Sequence, residues 1–272
     1  MASEPRDLRP GAGDVRALGR WYRRHEGAAL GAIGLAGLLG SWELAAILGV
    51  INPVILASPS RVGSALARQW RAGELPADLA TSAAEFVVAY ALALLAGAAL
   101  GLVMGLVRDA EYALDPLVWF LYSAPLVVFQ PLLVVWLGFG FWTVVALAAV
   151  LAAFPIAVNT LAGVRTVDPA LQRAVRAFGG RWFEELIKVT LPAALPLVLA
   201  GLRIAAGRAL VGIVVGEMFS ANAGLGFRLT FYGARLRAAD VLVPVLGVVV
   251  MGLVATQSVR LLEQRFRRGW AA

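Results

Sequence analysis

Residues 173–192 read RAVRAFGGRWFEELIKVTLP, a stretch with six charged side chains set between two long apolar runs. Just ahead of it, Asp168-Pro169 has the form of a helix start, with Asp as the cap and Pro in the first turn. A helix over Ala170–Phe178 then meets Gly179-Gly180, and glycine is the usual terminator. A second helix over Trp182–Thr190 carries Glu184 and Glu185. Pro192 and Pro196 lead into the next apolar run. Helix, glycine turn, helix, proline describes a compact hairpin, not a random loop.

Outward from this hairpin the chain is strongly apolar. Of 272 residues, 60% are hydrophobic and 15% are charged, against about 25% charged in soluble domains. One soluble core cannot hide that much apolar surface, so the expected solvent is a bilayer. Six stretches reach the roughly 20 residues that span a hydrocarbon core. They are 28–51, 83–107, 116–137, 141–161, 195–219 and 241–262. The expected fold is all-α with six transmembrane helices. The first run is too long for a signal sequence and no small-residue cleavage site follows it, so it reads as an uncleaved helix. With the N-terminus inside, sixteen Lys and Arg fall in inside segments and six in outside segments, as the positive-inside rule requires. The expected layout is an Arg-rich cytoplasmic tail over 1–27, a membrane domain over 28–262 and a cytoplasmic tail over 263–272. The hairpin then lies in a cytoplasmic loop at about 162–194. Between the first two spans, Val62, Ala65, Leu66 and Trp70 recur at helical spacing, which predicts a short helix on the membrane surface.

Several function classes drop out. There is no cysteine and one histidine, His25, so thiolate and multi-histidine metal sites are excluded. The single lysine, Lys188, lies between Ile187 and Val189, which excludes a Gly-Lys-Ser/Thr phosphate loop. No Ser-His-Asp set or pocketed carboxylate pair is evident. No catalytic residue, metal or cofactor is expected, so the chain is not read as an enzyme. The charge of +7 sits on arginines at the ends of apolar runs, not on a nucleic-acid readout surface.

Within the spans, Gly97, Gly101 and Gly105 form two GxxxG steps, and Gly212 and Gly216 form another. They fit either a tight helix or subunit contact or ordinary small-residue packing. Gly31, Gly34, Gly37 and Gly40 recur every three residues. Pro125 and Pro131 interrupt the third span, with Gln130 beside the second. Such breaks persist where protein or a water-filled cavity satisfies the freed carbonyls, so this region lines a pathway or is merely kinked. Glu43, Arg203, Arg208 and Glu217 lie inside spans, where a charge costs roughly 2.5–3.5 kcal/mol. Arg208 and Glu217, with Pro125, Gln130 and Pro131, are the candidate pathway residues. A structural ion pair for Arg208 and headgroup contacts for Glu43 and Glu217 are the alternatives.

The hairpin resembles the cytoplasmic loop of ABC importer permeases, in which Gly is followed by nine residues, Ile or Val, one residue, and Leu-Pro. Here these are Gly179, Val189, Leu191 and Pro192. The likeness extends through Leu191–Pro196, Ala200–Arg203, Gly207–Ala209, Gly216-Glu217 and Ala221–Gly226, close to sulfonate, taurine and nitrate permeases, and covers about 56–262. The family usually opens the loop with Glu-Ala-Ala, and Arg173, Ala174 and Val175 stand there instead. The resemblance implies a type I ABC importer transmembrane-domain fold in the bacterial inner (plasma) membrane. It implies a homodimer with two ATP-binding subunits inside and a periplasmic or lipoprotein substrate-binding protein outside. It implies ATPase coupling through Arg173, Ala174, Gly179, Glu184, Glu185, Val189, Leu191 and Pro192, and a small anion such as a sulfonate, taurine or nitrate as cargo. A stand-alone secondary transporter is the alternative. It usually shows internal repeats, and none is found.

Overall fold

The computed structural model describes residues 12–50, 52 and 54–270, so the expected tails lie outside the described residues over 1–11 and 271–272. It forms two units, residues 1–63 and 64–272.

In the first unit, α1 (Ala12–Ile47) begins well before the expected Ala28. No proline interrupts residues 12–27, and Ala, Leu and Arg there are good helix formers. Its stretch Leu30–Ile47 is long and apolar enough to cross a membrane. Within this unit Glu43 closes the first turn of α2 (Pro59–Arg71). Ser60 donates its backbone N–H to Glu43 Oε2 at 2.9 Å and its hydroxyl to Oε1 at 2.7 Å. A helix start leaves N–H groups without partners, and here an acid from another helix supplies one. Glu43→Ala should leave the Ser60 N–H without its partner, read as faster amide exchange at Ser60. Unchanged exchange would exclude the cap. In α2 the buried positions are Val62, Ala65 and Gln69, while Leu66 and Trp70 are exposed. A helix is present where the spacing predicted one.

The second unit continues through α3 (Glu74–Leu106), α4 (Arg108–Ser123), a 3-10 turn (Leu126–Phe129), α5 (Gln130–Leu137) and α6 (Phe141–Arg165). Then come α7 (Pro169–Ala177), α8 (Trp182–Glu185), a π-helical segment (Leu186–Thr190), α9 (Leu191–Ser220), α10 (Leu225–Gly233) and α11 (Ala238–Trp270). The described residues are all helix and turn. Among the described residues, five helices can cross a membrane by length and composition, or six if α4 and α5 count as one broken span.

The core forms around α6. Ala152 and Ile156 of α6 meet Ala93 of α3, Leu199, Leu202, Ala205 and Ala209 of α9, and Val259 of α11. Glycines set the close approaches. A Cβ on Gly97 would strike the Ala153 carbonyl oxygen, and one on Gly101 would lie 2.6 Å from Thr160 Cβ. A Cβ on Gly212 would lie 2.5 Å from Ala148 Cα. The steps in α3 and α9 are thus contacts with α6 of the same chain. By contrast, a Cβ added to Gly31, Gly34, Gly37 or Gly40 would meet no atom within 4 Å.

The third span is broken rather than merely kinked. Between Ser123 and Leu126 the axis turns by 88°. Pro125 lies at the corner after an extended Ala124, since proline disfavours helix in the preceding residue. Pro131 does not interrupt a helix: it sits in the first turn of α5, where its missing N–H leaves no bond unmade. The hairpin's second arm also differs from expectation. Instead of stopping before Pro192, α8 runs through the π segment directly into α9, with Pro192 in that helix's first turn.

Candidate functional site

The 88° bend opens a cavity of about 400 Å³ lined by Pro125, Leu126, Leu151, Gly207, Arg208 and neighbouring apolar groups. Pro125 and Arg208, far apart in sequence, are brought together here. The walls are otherwise apolar, so Arg208 is the charged group in this lining. It is exposed, and its guanidinium carbon stands 5.8 Å from the Tyr122 ring centroid, a cation–π distance. None of the ion pairs among the described residues takes Arg208. By contrast, Arg203 pairs with Glu263 of α11, which provides its charge with a structural partner. Gln130 does not line the cavity. It begins α5, is buried, and its Nε2 has no hydrogen-bond partner. Pro131 follows it without reaching the cavity lining.

Glu217 is elsewhere again. It is fully buried near the C-terminus of α9, at the end of the unit opposite the hairpin. There it helps hold the start of α10. Three successive backbone N–H groups are taken by side chains of other helices. Gly224 donates to Asp78 Oδ1 at 3.0 Å, Leu225 to Ser82 Oγ at 3.0 Å, and Gly226 to Glu217 Oε2 at 2.6 Å. Ser82 in turn donates to Glu217 Oε1 at 2.5 Å. Asp78 also accepts from Arg228 Nε at 2.5 Å, and Tyr232 donates to Glu74 Oε2 at 2.7 Å. Burial, with the Glu74 carboxylate beside it, pushes the Tyr232 phenol up to about 12. Sequence reading missed Asp78, Ser82 and Glu85. Their spacing of four and then three places all three on one face of α3, which was the available signal.

The hairpin is braced by charge. Asp168 caps α7 by accepting from the Ala170 N–H at 2.7 Å. Arg176 makes a two-pronged contact with Glu185, at 2.7 and 3.1 Å, and the Glu185 carboxylate holds the Arg176 charge more firmly than usual. Glu184 accepts from the Arg181 N–H at 3.0 Å and from Lys188 at 2.9 Å. Gly179 turns the chain at φ 81°. Arg173 and Ala174 are exposed on α7, while Val189 and Pro192 are half-buried. Leu191 is also partly open. The sequence reading overlooked the aromatic tip: Phe178 is 94% exposed, with Trp182 and Phe183 also exposed beside it.

Comparison with known proteins agrees with this geometry. Residues 89–268 match the family described as binding-protein-dependent transport system inner membrane component. A putative aliphatic sulfonates transport permease of Bacillus subtilis (strain 168) is 31% identical, covering 89% of this chain and 88% of its own length. The taurine transport system permease of Escherichia coli (strain K12) is 31% identical, covering 85% and 86%. The methionine ABC transporter MetNI, solved in inward-facing conformations, overlays with a TM-score of 0.60 at 19% identity, covering 70% of this chain and 94% of that one. An amino acid ABC transporter overlays with a TM-score of 0.59 at 18% identity, covering 74% and 97%. The broken span, the α6-centred bundle and the hairpin thus belong to a multi-pass inner-membrane chain of the binding-protein-dependent transport family, an ABC importer permease of the sulfonate, taurine and nitrate branch with the type I transmembrane fold.

Proposed function

We propose that this chain forms half of the translocation pathway for a small anion, such as a sulfonate, taurine or nitrate. The observation that carries the reading is the cavity at the 88° bend, where Arg208 stands among apolar walls without a carboxylate partner among the described residues. A cation in such a setting attracts an anion, and a planar guanidinium suits an oxyanion in particular. The sulfonate and taurine permeases among its relatives support that choice of cargo. A second copy of the chain completes the path. Two ATP-binding subunits dock on the exposed tip of the hairpin, using Phe178, Trp182 and Phe183 together with Arg173, Ala174, Gly179, Glu184, Glu185, Val189, Leu191 and Pro192. The hairpin and both termini face the cytoplasm, and a substrate-binding protein delivers cargo at the opposite end. ATP is hydrolysed by the partner subunits, whose motion reaches the bundle through the hairpin as a rigid body. Gln130 and Pro131 start α5 beyond the bend, and Glu217 anchors the far end of α9.

Arg208→Ala should lower anion uptake about tenfold by removing one charge-assisted contact, with Arg208→Lys intermediate. Unchanged uptake and selectivity in Arg208→Ala would remove this cavity from the pathway. Gentle purification of the tagged chain from its host should bring an ATP-binding subunit with it. If none is found by mass spectrometry even after cross-linking, the docking of ATP-binding subunits on the hairpin is overturned.

A further inference from the structure

Four glycines lie within α9, and packing explains three of them. A Cβ on Gly201 would lie 2.7 Å from Asn159 Cβ, one on Gly212 2.5 Å from Ala148 Cα, and one on Gly216 3.1 Å from Val144 Cα. All three contacts are with α6. Gly207 is different. A Cβ there would meet no atom of the described residues within 4 Å. Its φ also lies outside the left-handed region that favours glycine. Glycine inside a helix is less favourable than alanine, so neither contacts nor backbone conformation within the described chain call for it.

What Gly207 does face is the cavity at the bend. Ile204, three residues before it, and Val211, four after, line the same cavity, as helical spacing places them on one face. Both carry branched aliphatic side chains and are exposed. Gly207 is therefore a notch between two apolar steps. Its neighbour in the chain is Arg208, the charged group of the lining. A bare inorganic oxyanion gains little from apolar walls. An anion with an aliphatic body buries that body against them while its charged head meets the guanidinium.

Resting on the reading of this cavity as the pathway, we propose that Gly207 is a specificity-determining residue. The side chain it lacks leaves room beside Arg208 for the aliphatic body of an organic anion, a small alkanesulfonate in class, whose sulfonate group faces the guanidinium. The head is selected by charge and the body by the notch, from two adjacent residues of one helix.

Uptake of labelled methanesulfonate and butanesulfonate, measured in cells carrying the whole importer, reads the room in the notch. Gly207→Val should lower the ratio of butanesulfonate to methanesulfonate uptake about tenfold or more, because a filled apolar pocket discriminates by about that factor for a single methylene. Gly207→Ala should fall between. Neither variant should lower the thermal midpoint of the purified importer, since the added carbons enter open space. An unmoved ratio in Gly207→Val would overturn the proposal. So would equal loss of both sulfonates with a lowered midpoint, which would place Gly207 in a contact with a second copy. Arg208→Ala, measured alongside, should lower both uptakes by a similar factor. Full uptake in Arg208→Ala would refute the pathway reading itself. Loss of both uptakes in Arg208→Ala with an unmoved ratio in Gly207→Val would refute the role of Gly207 alone. A wild type that takes up neither sulfonate would overturn both.

Discussion

Gly101→Val should weaken the α3–α6 packing and lower the thermal midpoint of the chain in detergent. A Cβ at this position would meet the Ala157 carbonyl oxygen and lie 2.6 Å from Thr160 Cβ and 3.1 Å from the Ala157 carbonyl carbon. Two of these are backbone atoms of the central helix and cannot swing aside as a side-chain tip can. Valine adds two methyl groups to that conflict. Overpacking of a well-filled core costs about 1–3 kcal/mol, and a clash with backbone belongs at the upper end of that range. Against a net stability of about 5–15 kcal/mol, this is enough to lower yield and thermal midpoint in detergent. Gly31→Val is the matched control, because no atom lies within 4 Å of the added carbon there. Similar thermal midpoints for the two variants would mean that α3 and α6 do not approach as closely as described.

The second large effect is expected at the hairpin turn. Gly179 has φ 81°, a region that glycine enters freely and that proline, locked near −65°, cannot reach. Its N–H donates to the Arg176 carbonyl at 3.0 Å, and the next N–H closes onto Val175 at 2.9 Å. Gly179→Pro loses the first bond and forces the turn open. The exposed aromatics Phe178 and Trp182 flank that turn, so their relative placement is lost with it. If the hairpin is the site of ATPase docking, ATP-driven uptake should fall by about a hundredfold, the equivalent of about 2.7 kcal/mol, with the chain still in the membrane. Gly179→Asn should be milder than Gly179→Ala, because Asn tolerates this backbone region better. Normal uptake in Gly179→Pro would refute the docking assignment.

The parts of the fold legible in the sequence were those set by local chemistry. Length and hydropathy located the spans, Asp168 announced its own cap, and Gly179 announced its turn. The family spacing from Gly179 to Pro192 followed from residues close together in the chain. What stayed hidden depended on partners distant in sequence. The expected start of the second span, Ala83, follows the eye to the first unbroken apolar stretch. The helix begins instead at Glu74, because Asp78 and Ser82 find their partners in Gly224 and Leu225, some 140 residues on. Glu43 and Glu217 each hold the first turn of a short helix, at Ser60 in one case and Gly226 in the other. For the pathway, a break at Pro125 could be foreseen, but its angle could not. A proline states that a bond is missing, and the packing of α4 and α5 on α6 decides which way the chain leaves.

The π-helical segment Leu186–Thr190 has a consequence for phase. A π turn holds one residue more than an α turn, and each residue of a helix advances the azimuth by about 100°. Because α8 passes through this segment into α9 without a break, the heading of Trp182 and Phe183 is tied to that of Gly201, Arg208 and Gly212 along a single rod. The extra residue is a fixed angular offset between them, a clocking that lets the aromatic tip face away from the bundle while the glycines of the same rod face α6.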